Sequence, residues 1–363
     1  MAAGYQVTAL DAFADADTQC LAQASYNVKY DSGHFDVTDF EQTLDKIDLN
    51  DQIGLAFGSG FEAAPELLEM VAERMPLLGN TPIVVRNLKR PRQFFMLLDI
   101  LKIPHPEVSF QPLRFDSKKS AAGWLYKQGG GSGGMHVRKA LPLPGIAPEV
   151  GHYFQREVPG VPVSLLFVAD SRQAQVIGFN QQWLSPTLAM PYRYGGAVSH
   201  VDLPDEVKQQ LVYAAQQLTN AVGLRGLNSL DAMMDGGQIW VLELNPRLSA
   251  TFDLYQTENC NLFELHLQAS AGNSSDWPKL LMQLPRRAKA HHIIYAPYDL
   301  VISDDINWPE WTADLPIPGS RIAAGDPLCN ILAEAGNADD AKSLALSRAE
   351  VFETTLEEYK GSV

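Results

Sequence analysis

The chain of 363 residues is poor in cysteine, in long apolar runs and in positive charge. Its three cysteines, Cys20, Cys260 and Cys329, lie far apart without the spacing of a metal site, so we expect them to be reduced and buried. No run of about 18 apolar residues occurs, which argues against a membrane span. Lys and Arg number 28 against 43 Asp and Glu, which gives a net charge of -15. This acidic balance argues against nucleic-acid binding, because phosphate backbones favour basic surfaces.

The N-terminus and the histidines exclude further classes of protein. Residues 1–4 have neither a basic nor an apolar signal region, so we predict a cytoplasmic protein, and the length implies two or three domains. Gly4 lies directly before the strand pattern Tyr5–Leu10, at the place where the C-cap of a preceding helix would lie. We therefore expect an opening strand–turn–helix unit to be absent, unless the first sheet is simply smaller. The eight histidines show no metal spacing, and no Gly-x-Ser-x-Gly elbow occurs.

The most informative segment is a hairpin predicted around the turn 235–237. With a three-residue loop, Asp231 would pair with Val241 and share one face with Glu243 and Asn245. Two carboxylates and one amide oxygen form a ligand set that suits Mg²⁺, with Mn²⁺ as an alternative, and Mg²⁺ takes its remaining ligands from water and substrate phosphates. A surface hairpin with ordinary charges is the competing interpretation.

A glycine-rich segment upstream favours the metal-site interpretation. Residues 128–134 read Gln-Gly-Gly-Gly-Ser-Gly-Gly and join the strand patterns Trp124–Lys127 and His136–Leu141. Backbone N–H groups at such a hairpin tip can approach an anion closely, and Lys127 at its base supplies a positive charge. No Gly-Lys-Ser/Thr follows, so the segment is not a Walker loop. We predict a phosphate-binding flap, although this composition alone is typical of a flexible linker.

In this order, the flap, the segment Gln155–Gly160 and the acidic hairpin resemble the ATP-grasp superfamily, in which two α+β subdomains grip ATP. The resemblance is strongest from Pro104 to Leu284. It implies that ATP contacts Lys127, Gly131, Ser132, Gly133, Gly134, Gln155, Arg156 and Val158.

The resemblance also implies metal ligands and catalytic residues. Asp231, Glu243 and Asn245 would hold the metal, whereas Lys127 and Arg247 would draw charge from the transferred phosphoryl group. Arg247 could reach a phosphate as a forked donor.

Two departures from the family pattern concern ATP contacts. Pro162 stands where many members carry a glutamate that holds the ribose hydroxyls, which puts ribose contact in doubt. Many members also have a lysine before the helix that precedes the core, where this chain has Pro91. Lys89 or Arg92 could substitute, but a solvated helix start is the favoured interpretation of these cations.

The expected architecture is an ATP-grasp fold that mixes α/β and α+β structure. An open α/β domain is expected at residues 1–104, the ATP-grasp domain at residues 105–285, and a β-rich segment with a terminal helix at residues 286–363. The apolar runs Ile53–Phe57 and Pro82–Val85 are predicted strands of the first domain.

Substrate contacts are expected where loops follow the strands of the first sheet. The candidates there are Asp15, Asp17, Ser59 and Glu62, although aspartates can merely cap a helix and the second loop can merely form a tight turn. Arg193 could bind a substrate carboxylate through two hydrogen bonds, or it could extend along the surface as a solvated arginine.

The resemblance implies an ADP-forming ligase that joins a small-molecule carboxylate to an amine through an acyl phosphate. It is nearest to predicted carboligases of pterin-linked one-carbon metabolism, with an amino-acid-like substrate. A homodimer is possible, and neither nucleic acid nor a membrane is an expected partner. Two alternatives remain open, namely a bicarbonate-dependent carboxylase and an ATP-binding regulatory protein without turnover.

Overall fold

The computed structural model describes residues 4–31, 33–113, 122–141, 148–257 and 260–360. The helices in these ranges are α1 Ala16–Leu21, α2 Val37–Leu44, α3 Glu66–Arg74, α4 Pro82–Lys89, α5 Pro91–Leu101, α6 Asp205–Val222, α7 Leu262–Ser270, α8 Trp277–Leu281 and α9 Ala338–Lys360. None of these helices combines the length and the apolar content that a membrane crossing requires. The first ten strands are β1 Thr8–Asp11, β2 Ala24–Asn27, β3 Tyr30–Asp31, β4 His34–Phe35, β5 Leu55–Ala56, β6 Leu77–Leu78, β7 Val108–Ser109, β8 Trp124–Gln128, β9 Val137–Lys139 and β10 His152–Arg156. The other strands are β11 Val161–Asp170, β12 Ala174–Leu184, β13 Tyr194–Ser199, β14 Arg225–Asp235, β15 Gln238–Asn245, β16 Ala288–Tyr295, β17 Leu300–Val301, β18 Thr312–Ala313, β19 Arg321–Ile322 and β20 Pro327–Ala335.

The N-terminal part contains two short parallel strand pairs, β1–β2 and β5–β6. They pack with α2 and α3 around a core in which Phe40 and Leu67 are almost completely buried. The predicted strand Ile53–Phe57 is reduced to Leu55–Ala56. This part therefore places loops, rather than a wide sheet, beside the rest of the chain.

The predicted strand Pro82–Val85 is wrong, because these residues begin helix α4. Pro82 takes the first helical position, where its missing N–H needs no partner. Val84, Val85 and Leu88 are buried along one side of the helix. Burial of that side outweighs the strand propensity of the β-branched residues.

A four-stranded antiparallel sheet, in the order β7-β10-β8-β9, carries the glycine-rich segment. Strands β8 and β9 pair as the predicted hairpin, and Lys127 lies opposite Val137. The segment 128–136 forms the tip of that hairpin, and Gly129 N–H donates to the Gly151 carbonyl 2.8 Å away.

The largest sheet has eight strands in the order β15-β14-β11-β12-β13-β16-β20-β18. Helix α6, predicted with the same bounds, buries Val207 and Leu211 against one face. Helix α7 packs on the other face, next to Leu166 and Leu227. The β-rich segment expected after residue 285 is present, but β16, β20 and β18 extend this same sheet, and α9 packs against β16 and β20.

The three cysteines are free thiols. Cys260 and Cys329 are buried as expected, whereas Cys20 is exposed on α1, so the expectation that all three are buried was wrong. Helix α1 buries none of its residues, which explains why a thiol there remains in solvent.

Candidate functional site

The acidic hairpin β14–β15 brings the predicted carboxylates together, but in a different register. Asp235 pairs with Gln238, so the loop has two residues instead of the expected three. That change alone would place Asp231 opposite Leu242, and a bulge after Asp231 shifts the pairing by one more residue in the same direction, so Asp231 lies opposite Glu243. The expected pairing of Asp231 with Val241 was therefore wrong, although the convergence of the two carboxylates was right.

The bulge also decides which face each residue takes. Val241 is buried in the same core cluster as Leu244, on the face opposite Glu243 and Asn245, so it does not share their face as expected. On the ligand face, Asn245 Nδ2 donates to Asp231 Oδ2 over 2.9 Å. Gln182 Nε2, from β12, donates to Asp231 Oδ1 over 3.2 Å. Two carboxylates and an amide thus converge beside the end of β15.

This set contains only two acidic side chains. Within the described ranges, no group of three or more His, Cys, Asp or Glu side chains has metal-binding geometry. Asp231, Glu243 and Asn245 nevertheless offer three oxygen-bearing groups on one face, which is the kind of donor that Mg²⁺ prefers.

Lys89, the last residue of α4, reaches this set from the N-terminal part. Its Nζ lies 2.6 Å from Asn245 Oδ1 and 3.3 Å from Glu243 Oε2, and its side chain is only 5% exposed. The favoured interpretation of a solvated helix start is therefore wrong for Lys89. It fits the exposed Arg92, whose guanidinium lies over the Phe110 ring at 4.5 Å.

The neighbouring charges shift the pKa values of the two carboxyls in opposite directions. Desolvation, and then the charge of Glu243, raises the pKa of Asp231 to about 7. Desolvation would also raise the pKa of Glu243, but the positive charges of Lys89 and Lys127 oppose it and, with smaller contributions, hold that pKa below its usual range. Without further positive charge, the pair therefore favours one proton on Asp231.

Lys127 and Gln155 face the hairpin from the four-stranded sheet. Lys127 Nζ donates to Gln155 Oε1 over 3.0 Å. Two buried polar atoms here, Gln155 Nε2 and His136 Nδ1, have no hydrogen-bond partner. Burial, and then the charge of Lys127, lowers the pKa of His136 to about 4, so its ring is neutral at pH 7. Unpaired buried polar groups are unfavourable and indicate a place where a polar ligand would complete the hydrogen bonds.

The flap closes over these residues. A cavity of about 30 Å³ remains between Lys89, Lys127, His136 and Glu243. That volume admits about two water molecules, so a nucleotide could enter only if the flap lifts.

Three contacts hold the flap in this position. The Ser132 side chain lies beside the Tyr30 hydroxyl. Gly133 accepts a hydrogen bond from Tyr194 N–H over 2.9 Å. Gly134, at φ 69°, lies so close to the carbonyl of Tyr192 that a methyl group there would overlap it. The flap thus bridges the N-terminal part and the segment before β13.

Arg247 and Glu62 form an ion pair, with 2.5 Å between Arg247 Nε and Glu62 Oε1. Glu62 Oε2 also accepts from Gly60 N–H over 3.0 Å. Arg247 Nη1 donates to the Leu248 carbonyl over 3.0 Å, which leaves Nη2 without a described bond to protein. The structure therefore places Glu62 at this site as the partner of Arg247.

The other predicted substrate residues in the N-terminal loops are not brought to the hairpin by any described bond. Asp15 caps α1 by accepting from Thr18 N–H over 2.7 Å, and Asp17 accepts from Leu315 N–H over 3.3 Å. Ser59 is exposed. The capping interpretation fits Asp15, and substrate binding by these three residues stays a prediction.

Of the remaining predicted nucleotide contacts, Arg156 ends β10 and Val158 lies in the short link to β11. The link connects the four-stranded sheet to the eight-stranded sheet. The Arg156 guanidinium lies over the Trp124 ring, 5.1 Å from its centre. Gly131 belongs to the flap beside the cavity.

Sequence reasoning missed His136 and Gln182 at the site. The sequence pattern indicates only the start of a strand at His136, and the available signal is its position directly after the predicted phosphate-binding flap. Nothing in the sequence near Gln182 pointed to Asp231, because the bond joins β12 to β14 across strand β11.

One family model matches the part of the chain that carries the flap and the acidic hairpin. Residues 93–251 match the family model of the ATP-grasp domain. No curated protein sequence gives a significant match. The biotin carboxylase of Campylobacter jejuni, solved as a β,γ-ATP complex, has a TM-score of 0.69 at 12% identity, with 93% of this chain and 84% of that chain covered.

Two further solved structures are similar over most of this chain. The biotin carboxylase domain dimer of the Hydrogenobacter thermophilus 2-oxoglutarate carboxylase, solved with MgADP, ADP and bicarbonate, has a TM-score of 0.68 at 11% identity, with 93% of this chain and 83% of that chain covered. Rhizobium etli pyruvate carboxylase has a TM-score of 0.68 at 13% identity, with 96% of this chain but only 35% of that chain covered. At such identities the likeness shows the fold. Residues 93–251 form an ATP-grasp domain, and the chain as a whole has the ATP-grasp fold.

Proposed function

We propose that this protein is an ATP-dependent, ADP-forming ligase that joins a small-molecule carboxylate to an amine. One observation carries the proposal. A carboxylate pair, an amide and cationic side chains converge beneath a glycine-rich flap, where two buried polar atoms lack partners. The family resemblance and the ATP-grasp domain support MgATP as the ligand of this cleft.

The donor set fits a divalent cation. The Lys89 ammonium already lies between Asn245 Oδ1 and Glu243 Oε2, which shows that these oxygens attract positive charge. Asp231, Glu243 and Asn245 would hold Mg²⁺, or alternatively Mn²⁺, and the ion would supply positive charge to the β- and γ-phosphates of ATP.

The chain's own cations would complete the neutralisation of the phosphates. Lys127 at the flap base is half-buried and makes no ion pair with any described residue, so a phosphate would give it a direct anionic partner. Arg247 is held in place by Glu62 and keeps Nη2 available. The backbone N–H groups of Gly131 to Gly134 would cover the phosphates from the other side. Such fixed charges stabilise phosphoryl transfer mainly by electrostatics and positioning.

The proposed reaction has two steps. A carboxylate oxygen of the acid substrate attacks the γ-phosphorus, the bond to the β,γ-bridging oxygen breaks, and ADP leaves with the electron pair. The amine nitrogen then attacks the acyl carbon, phosphate leaves, and the nitrogen gives up one proton. A flap that closes over the bound substrates would keep water from the acyl phosphate.

Two finer assignments stay predictions that rest on resemblance. The first is a place in one-carbon cofactor synthesis with an amino-acid-like substrate. The second is a homodimer, for which the dimeric biotin carboxylase domain of the Hydrogenobacter thermophilus enzyme is the available parallel.

A screen of ADP release over paired acids and amines tests the proposed function. We expect release with MgATP to require one acid and one amine together, because the amine must discharge the acyl phosphate. Release that requires bicarbonate instead of an acid would establish the carboxylase alternative. Tight MgATP binding without turnover for any pair would favour the regulatory alternative and contradict the ligase.

A further inference from the structure

Arg193 is an unusually buried arginine in the segment before β13. It is only 6% exposed. Its Nε donates to the Ser185 carbonyl over 2.9 Å, and Nη2 lies 3.3 Å from Ser185 Oγ. Nη1 lies 3.4 Å from the Gly325 carbonyl, and the guanidinium carbon lies 3.6 Å from the centre of the Tyr295 ring. The alternative of a solvated surface arginine is therefore wrong.

No carboxylate neutralises this charge. Among the described residues, Arg193 has no acidic group within ion-pair distance, and its hydrogen bonds all go to neutral oxygens. Burial lowers the pKa of Arg193, and only the nearby Tyr295 opposes that shift. In contrast, Lys89 pairs with Glu243, and Arg247 pairs with Glu62. A buried guanidinium without a counter-ion is costly, so an anionic ligand would relieve the cost.

The position of Arg193 connects it to the proposed active site. The next residue, Tyr194, donates its N–H to Gly133 in the flap, and its side-chain oxygen lies 2.8 Å from His291 Nε2. His291 and Tyr295 are four residues apart on β16, and side chains alternate between the two faces of a strand, so both project from the same face of the sheet. The Arg193 backbone thus lies beside the flap tip, and its guanidinium lies over the face of the Tyr295 ring.

Side chains on the same face of the sheet connect His291 to the carboxylate pair Asp231 and Glu243. Across neighbouring strands, His291 lies opposite Ala197, and Ala197 lies opposite Gln182. Gln182 Nε2 in turn donates to Asp231 Oδ1. The row therefore joins the metal ligands at one end to the side of His291 and Tyr295, where Arg193 lies, at the other.

We infer that Arg193 binds a carboxylate that the reaction does not consume, carried by one of the two substrates. This inference rests on the proposed ligase function and specifies its substrate class. The carboxylate would come either from a dicarboxylic acid, whose other carboxyl reacts, or from an amino acid that serves as the amine. Arg193 would then be a specificity-determining residue at the far end of the substrate.

The surroundings favour a carboxylate over a phosphate. Arg193 supplies one positive charge, and the groups that it contacts, Ser185, Gly325 and Tyr295, are neutral. A single guanidinium balances a carboxylate and matches its two oxygens with parallel N–H donors. A phosphate dianion would need a second cation, and the described contacts of Arg193 include none.

The competing explanation is that Arg193 only ties the segment 185–193 to the turn at Gly325. Arg225 provides a matched control for that role. It also donates to a backbone carbonyl, that of Ser270, over 3.0 Å, and it lies at the start of β14 near α7. Loss of either arginine removes hydrogen bonds to backbone, but only loss of Arg193 should affect binding of a carboxylate.

The test is calorimetric titration in the presence of Mg²⁺ and a non-hydrolysable ATP analogue. The probes are dicarboxylic acids from malonate to adipate, each against the monocarboxylic acid of equal length, and α-amino acids, each against the amine that lacks the carboxyl group. In the wild type, the additional carboxylate of one series should tighten binding by roughly tenfold to a hundredfold, the range for a charge-assisted hydrogen-bonded pair. The series that shows the gain identifies which substrate carries the group.

Arg193→Gln should abolish that gain, and Arg193→Lys should keep only part of it, because an ammonium lacks the fork. Arg225→Gln should keep the full gain. Binding of the nucleotide analogue should be unchanged in all three variants, so failure of this inference is distinguishable from failure of the MgATP proposal. The inference is overturned if no additional carboxylate tightens binding to the wild type, or if the gain survives in a folded Arg193→Gln protein.

Discussion

Replacing Glu243 with glutamine should reduce ADP formation by on the order of a thousandfold, equivalent to about 4 kcal/mol of activation free energy. The substitution removes one negative charge from the metal-ligand set at nearly constant volume. Lys89 would keep its 2.6 Å bond to Asn245 Oδ1, so the fold should persist. Steady-state ADP release and far-UV circular dichroism of the variant measure the two effects separately.

Glu206→Gln is the matched control for Glu243→Gln. Glu206 is exposed in the first turn of α6, away from the ligand face, so its substitution should leave ADP release within about twofold of the wild type, as is usual for surface changes. Wild-type turnover by a well-folded Glu243→Gln protein would show that Glu243 does not hold the metal.

Substituting Gly134 with alanine should lower turnover about a hundredfold by preventing closure of the flap. A methyl group at Gly134 would overlap the carbonyl oxygen of Tyr192, so the flap tip could not take its described position. The phosphates would then be covered less closely, and water would reach the acyl phosphate. The measurement is kcat for ADP release, together with the ratio of product formed to ATP consumed, which should fall.

Gly133→Ala separates this overlap from backbone strain. Gly133 and Gly134 have nearly equal positive φ angles, 62° and 69°, so alanine is strained to a similar degree at both, by roughly 1 to 2 kcal/mol. A methyl group at Gly133 would meet no atom within 4 Å. Gly133→Ala should therefore keep most of the activity that Gly134→Ala loses. Equal losses in the two variants would indicate that strain, and not closure, controls the rate.

The metal-ligand residues of the site could be predicted from the sequence, because they lie close together in the chain. Asp231, Glu243 and Asn245 lie on two strands joined by a recognisable turn, so their convergence follows from strand geometry. The pairing could not be predicted. The two-residue turn and the bulge after Asp231 each shift the register by one residue. No residue type near Asp231 indicates from the sequence that a bulge forms there.

The contributions from distant parts of the chain were harder to predict. Lys89 and Glu243 are 154 residues apart, and Glu62 and Arg247 are 185 apart. The position of Lys89 could not be predicted while Pro82–Val85 is taken as a strand, because Lys89 reaches the site only as the last residue of helix α4. The local β-branched run favoured a strand, whereas the buried side of the helix is defined by packing partners elsewhere in the fold.

The affinity for a non-hydrolysable ATP analogue, measured with and without Mg²⁺ at pH 6 and pH 8, tests most directly whether the carboxylate pair and the flap form a MgATP site. Mg²⁺ should strengthen binding, and more so at pH 8. The pKa of Asp231 is raised to about 7, so at pH 6 the metal must displace a proton, whereas at pH 8 the carboxylate is already ionised. The expected change in the Mg²⁺-dependent affinity is up to about tenfold between the two pH values. Binding that does not depend on Mg²⁺ at either pH, or no binding of the analogue at all, would contradict a metal–nucleotide site at Asp231, Glu243 and Asn245.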